Sequence, residues 1–333
     1  MQAWQRLGRF LAGHMLVIIP MGLAIGVFFP QTLSWMKPAV PVLFALMTYQ
    51  NSLGNEVSGL RDVLRRPAPL LIALVFVHVF VPLLAFGLGT LLFSGAPHGS
   101  DILTGFALEY AVPVGSSTIM WISLFGGDIS LGLATLLVST LLAPFSIPAT
   151  VKLLVGASVT VDTVGMMRDM IFMIALPAIA GTATNELTHG WGKQTLSPAL
   201  SPLARILLPL IVSINSTGIS SFLFHLTPSL VEVMLFVLFF SVFGYTAGFL
   251  IGLATRQPRG RFIALTFSCG VRNISAGAVI AMRYFPAATL FPVMIGTLFQ
   301  QFLAALSGRV MERYLAAHDA PAVGTGESDQ YAH

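Results

Sequence analysis

The chain has 333 residues, of which 56% are hydrophobic and 9% are charged, and its formal net charge at pH 7 is +4. Soluble domains carry roughly 25% charged residues, so this composition excludes a soluble globular protein and indicates one embedded in a membrane. The sequence pI of about 9.5 is not taken as a sign of a nucleic-acid partner, because the basic residues concentrate between apolar segments, where they contact lipid headgroups.

Ten mostly apolar segments of at least 17 residues follow one another along the chain, each long enough to cross roughly 30 Å of hydrocarbon as a helix. They run over residues 11–29, 38–54, 69–95, 101–125, 129–154, 166–184, 203–223, 229–254, 261–284 and 286–314. The sequence therefore predicts an all-α polytopic membrane protein with ten transmembrane helices. The polar tail at 317–333 is predicted to be disordered and cytoplasmic.

Lysine and arginine are distributed unequally between the two sides that ten spans define. Twelve lie on the side of the termini: Arg6, Arg9, Arg61, Arg65, Arg66, Lys193, Arg205, Arg256, Arg259, Arg261, Arg309 and Arg313. Four lie on the other side: Lys37, Lys152, Arg168 and Arg283. Cytoplasmic connections carry the excess of basic residues, so this asymmetry predicts a multi-pass protein of the inner (cytoplasmic) membrane with both termini in the cytoplasm.

A constant offset of 157 residues relates the two halves of the chain. Residues 107–118 align without a gap to residues 264–275, and the apolar segments before and after them keep the same offset. A repeat of five spans, an odd number, is inverted in the membrane when it recurs. We therefore expect two inverted five-helix repeats, in which 69–154 superposes on 229–314 about an axis in the membrane plane.

Both aligned segments contain residues that interrupt a helix. Pro113 removes a helical hydrogen bond, and Gly115 and Gly270 tolerate the irregular dihedral angles of an unwound stretch. The fourth and ninth spans are therefore predicted to be unwound and to cross at these three residues. Paired interruptions of this kind indicate the midplane binding site of a secondary transporter.

Polar residues begin the half-helices that follow the two interruptions. They are Ser116, Ser117 and Thr118 in the first half and Asn273 in the second. The N–H groups and the positive dipole ends of these half-helices would attract an anion, and Arg272 adds a full positive charge. A guanidinium group binds a carboxylate in bidentate fashion, so these residues predict a binding site for a small organic carboxylate.

Glu109 and His78 are further ionisable residues at membrane depth, where such side chains are costly and usually serve a function. Glu109 precedes Pro113 by one turn, and the repeat places the two interrupted segments side by side, so Glu109 is expected to pair with Arg272. It is assigned to coupling or gating, with a purely structural ion pair as the alternative. His78 is assigned to coupling, with a hydrogen-bonded core histidine as the alternative.

Five motifs carry a resemblance to a known family. They are residues 60–67 (LRDVLRRP), 82–85 (PLLA), 113–118 (PVGSST) followed by Gly127-Asp128, 139–144 (STLLAP) and 270–273 (GVRN). On these motifs the chain resembles the bile acid:sodium symporter family over nearly all of residues 10–312.

The resemblance implies two domains with the substrate bound between them. The panel domain would comprise residues 1–68 (helices 1 and 2) and 155–228 (helices 6 and 7), and the core domain 69–154 (helices 3 to 5) and 229–316 (helices 8 to 10). Polar panel residues would face the substrate: Gln50, Asn51, Asn215 and Ser216. Polar groups that only pack helices together are the alternative for these four.

Sodium-coupled members of that family carry oxygen-bearing side chains at positions that differ here. Those positions are Val77, Ile119, Gly132, Leu136, Ser268 and Arg272. A hard cation needs several oxygen ligands, so we expect sodium not to bind, and the fixed charge of Arg272 to replace the second ion.

These observations predict a sodium-independent secondary transporter of a small organic anion that works by alternating access, either facilitative or coupled to protons. The alternatives are a sodium-coupled symporter with atypical ligands and a membrane receptor that binds without transport. A metalloid exporter is disfavoured because Val114 occupies the place of the thiolate it would need. No enzymatic activity, cofactor or metal site is predicted, since no His/Glu metal spacing and no serine-nucleophile motif stands out.

Overall fold

The structure is a computed structural model that describes residues 2–56, 60–156 and 160–318. Its main helices are α1 (Gln2–Phe28), α2 (Val40–Ser52), α3 (Ala68–Phe93), α4 (Gly99–Ala111), α5 (Ser117–Leu124), α6 (Ile129–Val155), α7 (Thr163–Leu187), α8 (Gly192–Phe224), α9 (Pro228–Ala254), α10 (Arg259–Gly270), α11 (Ile274–Tyr284) and α12 (Ala287–His318). Within the described ranges there is no β-strand. Seven of these helices, α1, α3, α6, α7, α8, α9 and α12, are long and apolar enough to cross a membrane. The protein is therefore an all-helical, polytopic membrane protein.

Short π-helical turns occur within α3 and α7 and at the start of α8, and each has a proline as the second residue after the turn. The turns are Phe76–Phe80, Ile171–Ala175 and Gly192–Leu196, and the prolines are Pro82, Pro177 and Pro198. Proline lacks an N–H and its ring collides with the carbonyl four residues earlier. A local change to wider hydrogen bonding relieves that collision, and it leaves backbone carbonyls free to bind other partners.

Two other helical stretches are broken completely. The chain leaves helical geometry between α4 and α5, after Ala111, and between α10 and α11, after Gly270. The predicted tail at 317–333 begins within the last turn of α12, which continues to His318. The remainder of that tail, residues 319–333, lies outside the described residues.

Small residues allow the helices to approach closely, as is usual in membranes. Helix α1 packs along α8, where a Cβ atom added at Gly26 would lie 1.9 Å from the carbonyl oxygen of Ser213. Helix α9 packs along α10, and α12 packs along α4. Large aromatic side chains such as Phe106, Phe240 and Phe291 are fully buried between them. This packing holds the two broken stretches inside the molecule.

Candidate functional site

The two unwound segments cross each other and are joined by backbone hydrogen bonds. Gly115 N donates to Val271 O at 3.1 Å, and Asn273 N donates to Pro113 O at 2.8 Å. A Cβ atom at Gly115 would lie 2.7 Å from the carbonyl oxygen of Arg272, so only glycine permits this approach. The crossing thus satisfies peptide groups that would otherwise be unpaired at membrane depth.

Val114 and Arg272 face each other at the centre of the crossing as an isolated antiparallel bridge. The N–H of each residue donates away from the bridge to a side-chain oxygen. Val114 N donates to Ser139 Oγ at 2.9 Å, and Arg272 N donates to Gln300 Oε1 at 2.8 Å. Helices α6 and α12 therefore each tether one of the two crossing segments.

The Arg272 side chain is 6% exposed and donates from Nη1 to Val77 O at 3.1 Å, a carbonyl of the π-turn in α3. Glu109 is 2% exposed, and its Oε2 has no hydrogen-bond partner. The ion pairs seen among the described residues do not join Glu109 to Arg272. The expected direct pair is therefore not formed, because the wider hydrogen bonding of the π-turn leaves Val77 O within reach of the guanidinium.

His78 forms hydrogen bonds to two serines of α6. Its Nε2 lies 2.8 Å from Ser139 Oγ and its Nδ1 lies 3.2 Å from Ser146 Oγ. Ser139 is the same residue that accepts from Val114 N. His78 is thus linked to the first crossing segment through one hydroxyl group, and both of its ring nitrogens are occupied.

A cavity of about 100 Å³, named here the crossover cavity, lies against the crossing point. Five of the residues predicted to bind substrate form part of its wall: Asn51, Ser116, Ser117, Arg272 and Asn273. The N-terminal ends of α5 and α11 both border it. The structure thus brings the two half-helix starts and the arginine to one shared space.

Three predicted site residues lie elsewhere. Thr118 and Asn215 are almost completely buried, with Thr118 Oγ1 and Asn215 Oδ1 lacking hydrogen-bond partners. Ser216 is buried and donates to Val212 O at 2.6 Å within its own helix. None of the three belongs to the wall of the crossover cavity. Gln50 borders the adjoining cavity and donates weakly to Ser197 Oγ at 3.3 Å.

Two adjacent glutamines of α12 also line the crossover cavity, and the sequence analysis missed them. Gln300 Oε1 accepts from Arg272 N, and Gln301 Oε1 accepts from Trp121 Nε1 at 3.1 Å. Both partners can only donate, so each glutamine must point its carbonyl oxygen at them and keep its NH₂ group for another acceptor. Consecutive glutamines inside an apolar span were the signal that could have identified them.

A second cavity, of about 360 Å³, continues from the first and shares part of its wall. The shared residues are Met47, Asn51, Ser116, Ser117 and Leu208. It extends past Asn55, which follows α2, and Arg205, in the first half of α8. Both residues lie toward the side for which the lysine and arginine distribution predicts the cytoplasm. The two cavities therefore form a path from the crossing toward that side.

Comparison with known proteins points to the same family as the sequence motifs. The sequence profile described as the Sodium Bile acid symporter family matches residues 40–226. The chain is 36% identical over 298 residues to "Uncharacterized protein YbaS" of Bacillus subtilis (strain 168), covering 90% of this chain and 96% of that protein. It is 23% identical to "Uncharacterized sodium-dependent transporter YocS" of the same organism, covering 87% of each chain.

A plant relative shows how far the similarity extends. "Probable sodium/metabolite cotransporter BASS2, chloroplastic" of Oryza sativa subsp. japonica is 21% identical over 272 residues, which cover 81% of this chain and 62% of the plant protein. The profile match spans more than half of the chain, and the match to YbaS covers nearly all of it. The chain belongs to the sodium bile acid symporter family.

Proposed function

We propose that this protein is a secondary transporter that moves a small organic carboxylate by alternating access and does not require sodium. The observation that carries the proposal is the crossing itself, where two half-helix starts, Arg272, Gln300 and Gln301 border one cavity. The described residues that line this cavity include one guanidinium group and no carboxylate. A carboxylate, which only accepts hydrogen bonds, matches such a wall.

The proposed architecture is ten transmembrane helices in two inverted five-helix repeats. Seven spans are the long helices, and the other three are α2 and the broken pairs α4–α5 and α10–α11. The pairing at the crossing supports the inversion. An exchange of the two segments about the Val114–Arg272 bridge turns the bond from Gly115 N to Val271 O into the bond from Asn273 N to Pro113 O. Such reciprocity is the mark of a two-fold relation.

The proposed division into domains follows the cavity walls. The panel set, residues 1–68 and 155–228, contributes Asn51 and Leu208, and the core set, residues 69–154 and 229–316, contributes the crossing segments. Asn51 Nδ2 reaches Ser116 Oγ across the boundary at 3.4 Å, a weak contact. Movement of one set against the other would expose the cavity to each side in turn. Both termini are proposed to be cytoplasmic, in the inner membrane.

Arg272 is proposed to bind the substrate directly. A guanidinium carries five N–H donors, of which Val77 O takes one, so donors remain for a carboxylate. Asn273 and Ser116 would bind from the half-helix starts, with Ser117 and Asn51 beside them. Thr118, Asn215 and Ser216 are buried outside the cavity wall. They would contact the substrate only if the cavity changes shape during transport.

Sodium independence is the part of the proposal that departs from the names of the relatives, two of which are named as sodium-dependent or sodium/metabolite transporters. Position 77 offers only a backbone carbonyl, and that carbonyl already accepts from Arg272. A cation about 4 Å from the guanidinium would be repelled by roughly 4 kcal/mol at an effective dielectric constant of about 20. The fixed charge of Arg272 is thus proposed to stand in for an ion.

The test is uptake of labelled carboxylates into proteoliposomes, with sodium or with choline as the external cation. Comparable uptake in both, within about twofold, is expected, with Arg272→Gln proteoliposomes as the control for specific transport. A strong sodium requirement would favour a sodium-coupled symporter, and binding without uptake would favour a receptor.

Proton coupling is the second candidate, supported by the unpartnered oxygen of Glu109. In that case Glu109→Gln or His78→Gln should flatten the pH dependence of uptake.

A further inference from the structure

A cluster of polar side chains joins two helix ends on the side opposite the cavity mouth. Asp169, in the first turns of α7, accepts a hydrogen bond from Tyr284 OH and lies 2.8 Å from Arg283 Nε, both at the end of α11. The Asp169 side chain is 12% exposed. Arg168 Nε, beside it on the same helix, is farther away at 3.8 Å. A partly buried carboxylate thus holds two donors from another part of the chain.

The cluster lies on the side opposite the mouth of the crossover cavity. That cavity continues past Asn55 and Arg205, whereas the start of α7 and the end of α11 lie at the other face. The crossover cavity does not reach that face, because neither the Asp169 cluster nor Phe222 belongs to its wall. An aromatic contact also lies there, where the ring centroids of Phe222 and Phe291 are 5.9 Å apart.

The ion pair of Asp169 also differs from others in what it connects. Arg261 and Asp128 both belong to the proposed core set, and Lys193 and Glu56 both belong to the proposed panel set. Those pairs would move as units when one set moves against the other. The pair of Asp169 with Arg283 joins the panel set to the core set, so that movement must break it.

We propose that Asp169, Arg283 and Tyr284 form an outer latch, which keeps the outer face closed while the cavity is open to the cytoplasmic side and separates when the site turns outward. The proposal rests on the proposed alternating-access function. The two donors contribute differently. The guanidinium of Arg283 is half exposed and screened by salt, whereas the Tyr284 hydroxyl is a neutral donor that is less exposed. Removing the charge of Asp169 weakens both contacts at once.

The test measures access to the cavity from outside. Thr297, in the wall of the crossover cavity, is replaced in a chain without the native cysteine (Thr297→Cys with Cys269→Ala), and a membrane-impermeant maleimide is added to the outer side of intact cells. Asp169→Asn is expected to raise the labelling rate about tenfold, as for loss of a charge-assisted hydrogen bond, and Tyr284→Phe about threefold. Arg168→Gln is the matched control and should label at the unmodified rate.

A charge exchange keeps the test independent of folding defects. Asp169→Arg combined with Arg283→Asp should return labelling toward the slow rate of the unmodified latch, which a misfolded protein would not do. Outside labelling of Asp169→Asn at the unmodified rate, or equal acceleration by Arg168→Gln, would overturn the latch. The readout needs no transport, so loss of uptake with an intact labelling shift would reject the proposed function and leave the latch standing.

Discussion

The two crossing segments have the same backbone arrangement but different chemistry. In the first, Val114 N is satisfied by the neutral hydroxyl of Ser139, which His78 supports. In the second, Gln300 accepts from Arg272 N, and the side chain of Arg272 places a guanidinium group in the buried space. The first segment thus satisfies its backbone N–H with neutral groups alone. This difference is consistent with the proposal that the charge of Arg272 serves binding.

The starts of the half-helices differ as well. Asn273 Oδ1 accepts from Ala276 N at 3.4 Å and so caps α11, whereas Ser116 makes no side-chain capping bond and receives Asn51 instead. Each half thus assigns its polar side chains differently: Asn273, just before α11, stabilises that helix, and Ser116, just before α5, leaves its hydroxyl group to the cavity. Substitutions can test this division.

Arg272 should show the largest effect on binding. Arg272→Gln removes the charge and should weaken carboxylate binding roughly 10- to 100-fold, because charge-assisted hydrogen bonds contribute about 1.5–3 kcal/mol. Arg272→Lys keeps the charge but loses the planar fork, so its loss should be smaller. Binding is measured by calorimetry or by thermal shift in detergent. If Arg272 only neutralises Glu109, Arg272→Gln with Glu109→Gln will restore full affinity, and a site role is then rejected.

The two tethers should have similar effects on stability but different effects on binding. Ser139→Ala and Gln300→Met each leave a buried N–H unpaired, at a cost of about 1–3 kcal/mol in the free energy of unfolding. Gln300→Met should also weaken substrate binding, since Gln300 lines the cavity. Thermal unfolding and ligand titration separate the two. Ser146→Ala, which leaves the Val114 tether intact, is the control, and a loss of stability as large as that of Ser139→Ala would contradict this assignment.

The capping difference should give the smallest effect. Asn273→Ala is expected to lower the free energy of unfolding by about 1 kcal/mol, the usual value of a helix N-cap. Ser116→Ala should change stability by much less, because no capping bond is lost, and should alter substrate binding instead. Thermal unfolding of the two variants side by side is the measurement. Equal destabilisation would show that the two half-helix starts are equivalent after all.

Much of this protein was predictable from local properties of its sequence. Apolar length and composition predicted a polytopic helical membrane protein, and the family resemblance is confirmed by the profile match. The chain departs from helical geometry near Pro113, Gly115 and Gly270, because missing N–H groups and missing side chains act within a few residues. The ten-span count, the inverted repeat and the domain boundaries stay predictions.

Contacts between distant parts of the chain required the tertiary structure. Arg272 was expected to pair with Glu109, yet it binds Val77 O, 195 residues away, because a π-turn in α3 leaves that carbonyl available. Gln300 and Asp169 carried no local sign of the partners they have. Whether a polar side chain faces a cavity or a neighbouring helix depends on how the helices are rotated and packed. Hydropathy and helix-breaking residues do not encode that rotation; it is set by the sum of contacts across the whole fold.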